Sequence, residues 1–276
     1  LEHICKEAVV FHRNKDGTLI RLLRQKLNLP DYGYCPRELV LVFPFCQKDI
    51  QLAIKTMDWI RELAGSSKLN RTCVLHFDGS AHSSLVARII KSAGDAFEKV
   101  FISRYPIPNS PYLGWPGAPN WTFQHAVRFM EAHGNNSWLW LEPDAIPVQR
   151  DWLEALEIEY ARGGKPFMGT VVPNMGHLNG VAIYPWNTSA YVPSAMTTVR
   201  TAWDLAMMGE VAPHTHSANS FILHCPFMQG GRCTSSPGPL PQFTSIRDLS
   251  MVEAGVRVFH PCKDGELIKF LRIAKR

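Results

Sequence analysis

The chain has 276 residues, 46% of them hydrophobic, and a formal net charge of +5. That is ample for the core of one large α/β domain, with or without an appendage. No apolar run approaches the ~20 residues that cross a bilayer, so no membrane partner is expected. Lys6, Glu7, Arg13, Lys15 and Asp16 break up the N-terminus, which excludes a signal-peptide pattern there. The mild basic balance suits a polyanionic partner without requiring one. Seven cysteines, an odd number with no C-x-x-C pair, read as mostly reduced thiols of a cytoplasmic protein. Against this stand four N-x-S/T sequons, at Asn70, Asn120, Asn135 and Asn187, a motif short enough to arise by chance.

The first feature in chain order is half of a repeat. Phe11–Arg24 (FHRNKDGTLIRLLR) matches Phe259–Arg272 (FHPCKDGELIKFLR) at nine of fourteen positions. Each copy reads as a strand end, a turn at Lys-Asp-Gly and a short basic amphipathic helix. Copies at opposite ends do not make a solenoid. Residues 1–30 are therefore read as a separate N-terminal segment, the tail of an upstream copy, with one domain over 31–276. Chance likeness of two surface helices is the plainer alternative.

Strands and helices then alternate. ELVLVFPFC is a buried strand, followed by a helix with Asp49 at its N-cap and Gly65 just past its end. TCVLHFDG and SSLVARIIKSAG form the second strand–helix pair. KVFISRYP is the third strand, with a long Pro/Gly-rich loop leading into the helix WTFQHAVRFMEAHG. SWLWLEPD is the fourth strand, and DWLEALEIEYARG is a helix. This order predicts a mostly parallel sheet flanked by helices. Ligands bind such sheets beyond the C-terminal strand ends. Pro44, Phe45, Asp78, Arg104 and Glu142-Pro143-Asp144 all fall at those ends. GxGxxG, GxxxxGK[ST] and G-x-S-x-G are missing at the positions that would make a dinucleotide fold, a P-loop or a serine hydrolase.

Glu142 and Asp144 are two apart, and in an extended segment i and i+2 project to one side. Both carboxylates then reach one ligand, and two hard oxygen donors suit Mg²⁺ or Mn²⁺. The alternative is a plain turn in which Asp144 caps the next helix. Trp138, Leu139, Trp140 and Leu141 read as sheet packing. On the long loop, Trp115 is placed to stack on a sugar or base, or to plug the loop; Pro116 and Asn120 flank it. Arg104 reads as a phosphate contact or a surface charge. His214 and His216, without a third ligand nearby, make no convincing zinc site.

An apolar strand ending in acid-x-Asp, within this strand and helix order, resembles the GT-A glycosyltransferases over roughly Leu39 to Arg272. The resemblance implies a Rossmann-like, single nucleotide-sugar-binding domain. It implies a divalent metal, Mn²⁺ or Mg²⁺, and a nucleotide-sugar donor, read here as UDP-linked. Pro44 and Phe45 match the base-contacting position, and Asp78 the position that meets ribose or base. Glu142-Pro143-Asp144 stands where the family carries DxD, with a glutamate in the first place. GHLNGVAIYP, including Asn179 and Gly180, resembles the segment facing donor sugar and acceptor. His260 resembles a C-terminal histidine ligand to the metal. Lys263, in the same repeat unit, is placed to bind the diphosphate as a point charge. Asp204 resembles the late acidic base of inverting members, with Glu210 as its rival.

Four segments (WLWLEPDAIPV, GHLNGVAIYP, WDLAMMGEVAPHTH and FHPCKDGELIKFLR) further resemble phage and kinetoplastid enzymes that glycosylate hydroxymethylated pyrimidines in DNA. That implies DNA as acceptor, a base flipped out to meet the donor, and a host-cytoplasmic setting if phage-encoded. Arg200, Arg232, Arg247, Lys269, Arg272, Lys275 and Arg276 are the loose candidates to grip its backbone, each equally an ordinary solvated cation. The other readings are the same transfer to a glycan, lipid or protein, and a non-catalytic nucleotide-sugar or DNA-binding module. A nucleotidyltransferase is disfavoured because FPFCQKD follows the first strand in place of a glycine- and lysine-rich loop.

Overall fold

The structure is a computed structural model that describes residues 38–134, 136–172, 176–218 and 255–274. It also gives the backbone of short strands at 222–224, 227–229 and 232–234. The N-terminal copy of the repeat, with residues 1–30, lies outside the described residues. So do Cys5, Cys35, Cys225, the side chain of Cys233, and the sequon at Asn135.

The first strand, β1 (Val40–Phe45), is buried at all six positions. It pairs in parallel with β2 (Leu69–Asp78) on one side and β4 (Trp138–Trp140) on the other. β3 (Phe97–Tyr105) lies parallel to β2 at the edge of the sheet. The sheet continues through β7 (Leu178–Tyr184), β6 (Phe167–Val171) and β8 (Thr215–Ser217), in the order β3-β2-β1-β4-β7-β6-β8. β7 runs antiparallel to both β4 and β6, so the seven-stranded sheet is mostly parallel, as the strand and helix order predicts.

Four long helices flank the sheet: α1 (Ile50–Ala64), α2 (Ser83–Ala96), α3 (Gly117–His133) and α4 (Trp152–Gly163). In α1 the buried Ile50, Ala53, Ile54, Met57, Ile60 and Leu63 recur at helical spacing and form one apolar stripe. Gly65 ends this helix at φ +72°, a left-handed value that a residue without Cβ adopts freely. Asp49 holds the expected N-cap position, but its carboxylate turns back to accept from the Cys46 amide at 2.7 Å and caps no helical N–H. α3 begins four residues earlier than its apolar pattern indicates, and so takes in Asn120. That residue is fully buried, which closes its sequon to modification in the folded chain.

A second, three-stranded sheet carries the C-terminal repeat to the site. In it β12 (Val258–His260) lies between β5 (Ile146–Pro147) and β9 (Ile222–His224). The Lys-Asp-Gly turn follows, with Gly265 at φ +70°, and then α5 (Glu266–Ala274), as the repeat pattern predicts. A two-stranded ribbon pairs β10 (Phe227–Gln229) with β11 (Arg232–Thr234). Among the described residues Cys46, Cys73 and Cys262 are free thiols, and no helix is long and apolar enough to cross a membrane.

His76 sits fully buried in β2. Its Nε2 lies 3.0 Å from the Thr122 carbonyl, which only accepts, so that nitrogen donates and Nδ1 accepts from the Ser103 hydroxyl at 2.8 Å. Burial lowers its pKa to about 3. The folded protein thus holds it neutral, whereas the unfolded chain protonates it near 6.5. Its contribution is complete above pH 6.5 and is lost as pH falls toward 3, by up to roughly 1.4 kcal/mol per pH unit. Urea unfolding of the native chain and of His76→Gln at pH 7 and pH 5 should show a shallower pH dependence in the variant.

Candidate active site

β4 ends at Trp140, and the chain turns immediately afterwards. The Ala145 amide donates to the Glu142 carbonyl at 2.9 Å, closing a turn over Glu142-Pro143-Asp144. The two carboxylates therefore converge across a turn, not along the extended strand that the i, i+2 spacing suggests. Helix α1 holds this turn from below. The buried Thr56 hydroxyl donates to the Pro143 carbonyl at 2.6 Å, and Trp59 Nε1 to the Pro147 carbonyl at 2.7 Å. From the other side the Cys262 amide donates to the Asp144 carbonyl at 2.7 Å, fixing the end of β12 against the turn.

His260 is thereby brought to the acids. Its Nε2 stands 3.5 Å from Glu142 Oε2 and 3.6 Å from Asp144 Oδ1. Ligand atoms of Glu142, Asp144 and His260 all lie within 4.8 Å of one another. The Lys263 ammonium stands 2.5 Å from Asp144 Oδ2. Asp144 is 3% exposed. Burial opposes its charge, but His260 and then Lys263 outweigh that and hold its carboxyl well below the usual range. Burial likewise opposes a charged His260, yet Asp144 and Glu142 raise its pKa to about 9.

Glu142, Asp144 and Lys263 lie along a cleft of ≈ 580 Å³ at the C-terminal ends of β1, β2 and β4, while His260 is buried beside them and outside its lining. Of the residues singled out from sequence, Pro44, Phe45, Asp78, Trp115, Glu142, Asp144 and Lys263 line it. Phe45 is stacked on Phe77 with centroids 5.0 Å apart, forming a rigid aromatic wall. Asp78 Oδ1 accepts from the Ser80 amide at 2.9 Å, which pins the turn after β2. Trp115 is 80% exposed at the cleft rim, so it is no plug. Trp140 packs in the core, yet it also lines the cleft and donates from Nε1 to Glu142 Oε1 at 3.2 Å.

Asp204, on a single helical turn at Trp203–Ala206, lies beside this centre and outside the cleft lining. Its Oδ2 is 3.7 Å from His177 Nε2. Burial, and then the charge of Glu142, raise its pKa to about 6. Gly180 faces Glu142: a Cβ there would stand 3.5 Å from Glu142 Oε1 and 3.0 Å from Trp203 Cζ2. Asn179, also buried, spends its Oδ1 on the Val181 amide at 3.1 Å.

Other residues stand apart from this centre. Arg104 is exposed and outside the cleft lining, with Nη2 3.4 Å from the Gly79 carbonyl. Glu210, the rival base, accepts from the Ser194 hydroxyl at 2.6 Å and is tied into a helix turn. His216 pairs with Glu159 at 2.7 Å, while the His214 ring packs on Tyr191, so the two histidines serve separate contacts. Lys269 and Arg272 are taken up by Glu266 and Glu62, and Arg200 is exposed. Arg247, Lys275, Arg276 and the side chain of Arg232 lie outside the described residues.

Three contributors carry little sequence signal. Thr56 sits in an apolar helix stripe. Asn120 accepts from the Trp203 amide at 2.9 Å and donates to the Thr201 carbonyl at 2.8 Å, fixing the segment that bears Asp204. Trp203 stacks on Phe123 at 3.7 Å and 5° and lines the cleft.

No protein-family model and no curated protein sequence matches the chain. Solved structures do. An active-site mutant of LgtC superposes with a TM-score of 0.53 at 13% identity, covering 86% of this chain and 96% of that one. The galactosyltransferase LgtC with donor and acceptor sugar analogues gives 0.49 at 12% identity over the same shares. The bifunctional glycosyltransferase WbbM gives 0.50 at 9% identity, over 69% of this chain and 40% of that one. The chain has the GT-A fold. In this GT-A domain the acidic turn, His260 and the cleft all gather at the C-terminal ends of the parallel strands.

Gly180→Ala tests how closely β7 approaches Glu142 and Trp203. The added methyl must push the Trp203 ring off its place, so unfolding experiments should show a loss of about 1–3 kcal/mol with far-UV circular dichroism unchanged. Equal stability would mean that the Trp203 ring yields freely.

Proposed function

We propose that this chain is a metal-dependent glycosyltransferase that moves a sugar from a nucleotide-sugar, UDP-linked, to a hydroxyl. The observation that carries the reading is the meeting of Glu142, Asp144 and His260 within 4.8 Å, next to a cleft in a GT-A domain. Two carboxylates and an imidazole are a donor set that Mn²⁺ and Mg²⁺ accept. Ligands about 2.1 Å from an octahedral ion lie within ~4.3 Å of one another, a spacing that small side-chain rotations here reach. A divalent cation in that place supplies charge neutralisation for a diphosphate leaving group.

The chain's own residues do the rest. Pro44 and Phe45 offer the base a rigid apolar wall, and Asp78 accepts from ribose hydroxyls. Lys263 reaches the diphosphate as a flexible point charge. The missing side chain at Gly180 lets the Trp203 ring and Glu142 sit close against β7 at the edge of the donor site, and Trp115 at the rim gives an aromatic face for sugar or acceptor. Asp204 is the base that takes the proton of the attacking hydroxyl. Its pKa of about 6 leaves it ionised at neutral pH while still basic enough to serve. Arg104, exposed and away from the lining, is left out of the donor set.

The acceptor we assign is the hydroxymethyl group of a modified pyrimidine in DNA, flipped out to reach the cleft. The likeness of the four segments to that group of enzymes supports this, as does the net charge of +5. Lys48, exposed at the cleft, is a described cation placed to meet phosphate. Incubation with Mn²⁺, UDP-sugars and DNA bearing 5-hydroxymethylcytosine or 5-hydroxymethyluracil should add a sugar's mass to one nucleoside. Donor hydrolysis without a DNA product would move the acceptor to a glycan, lipid or protein.

Asp144→Asn should lower turnover by at least about 100-fold and weaken Mn²⁺ binding in calorimetry, with the fold unchanged. An unaltered rate would overturn the metal assignment. For the base, kcat/KM should rise with pH through about 6, because Asp204 must be ionised to accept a proton. Asp204→Asn should remove that limb and cost about 10²–10⁴ in kcat with donor affinity kept. Lost donor affinity would instead assign Asp204 to binding.

A further inference from the structure

We propose that β3 is a homodimer interface, on which a second copy of this chain adds its own β3 antiparallel to form a continuous sheet. Among the described residues β3 is the terminal strand on its side of the seven-stranded sheet and pairs only with β2 there. It runs for nine residues, Phe97-Glu-Lys-Val-Phe-Ile-Ser-Arg-Tyr105. A long edge strand presents unpaired backbone donors and acceptors to any strand that fits. At its centre Phe101 is 54% and Ile102 45% exposed, neighbouring side chains on opposite faces of the sheet. Phe97, Ser103 and Tyr105 of the same strand are buried, so the exposed apolar surface is concentrated at Phe101 and Ile102 in its centre.

The sequence of the strand is self-complementary in one register. A two-fold axis at Phe101 sets residue i opposite residue 202 − i of the partner copy, and opposed residues share a face. On one face this places Glu98 opposite Arg104 at both ends, with Val100 opposite Ile102 twice between them. On the other face Phe101 meets its own copy and Lys99 meets Ser103. Moving the axis by one residue either way puts Glu98 opposite Ile102, or Val100 opposite Arg104, and the ion pairs are lost. Charges on an edge strand commonly serve to repel other strands. Here their signs are mixed and matched, so they select one pairing. Within the chain Glu98 makes no ion pair with a described residue, and Arg104 has only its 3.4 Å contact to Gly79. Both are exposed and available to a partner.

The proposal concerns a surface apart from the cleft and stands independently of the assigned reaction. It is tested by sedimentation velocity and light scattering on the full chain over a range of concentrations, with circular dichroism as the fold control. The native chain should show the mass of a dimer. Glu98→Arg sets like charges opposite at both ends and should raise the dissociation constant about tenfold or more. Arg104→Glu should do the same. The double variant Glu98→Arg/Arg104→Glu restores opposite charges and should return the dimer, a rescue that mere damage to the fold would not give. Phe101→Lys should leave a monomer. A native chain that stays monomeric at every concentration overturns the proposal. A dimer unmoved by Phe101→Lys overturns it as well.

Discussion

The site depends on keeping the carboxylate of Asp144 charged while it is 3% exposed. A buried, unpaired carboxylate is costly and takes up a proton instead. Asp144 avoids this because two cations reach it from the far end of the chain, His260 at 3.6 Å and Lys263 at 2.5 Å. Those residues arrive only because β12 pairs with β5 directly after the acidic turn. The C-terminal segment is thus an electrostatic requirement of the acidic turn as well as part of the fold. A protonated His260 and the Lys263 ammonium supply the positive charge that Asp144 meets.

Placement of the acidic turn rests on helix α1 and on the aromatic core. Thr56 and Trp59 tie the backbone at Pro143 and Pro147, and Trp140 meets Glu142 from the strand side. Phe123, Trp203 and Tyr184 pack around Trp138 and Trp140. Asp204 follows Trp203 directly, so the core that supports the acidic turn also sets the position of that carboxylate.

The strands and helices were legible because their signals are local. Continuous apolar runs such as Leu39–Phe45 have the length and flanks of buried strands, and α1 has its stripe at helical spacing. The strand ends followed from that order, and with them Pro44, Phe45, Asp78 and the acidic pair. Local signals misled in two places. Asp49 has the residue type and position of an N-cap, but a closer donor, the Cys46 amide, took its carboxylate. Glu142 and Asp144 converge through a turn, because after Leu141, whose amide still pairs with the Val42 carbonyl, the Ala145 hydrogen bond to the Glu142 carbonyl closes the chain around Pro143. Both outcomes arise from competition among hydrogen bonds that spacing does not rank.

The sequence by itself determined the alternation of strands and helices, the apolar strand that ends in two acids, and the strand–turn–helix that brings His260 and Lys263. Each is written in residues close together along the chain. Only the tertiary structure decided that β7 runs antiparallel beside β4, that Asn120 fixes Trp203 across 83 residues, and that Thr56 holds the acidic turn across 87. It also took Lys269 and Arg272 out of the pool of available cations by pairing them with Glu266 and Glu62. Contacts of this kind join residues far apart in the chain, and which of them form depends on how the layers stack.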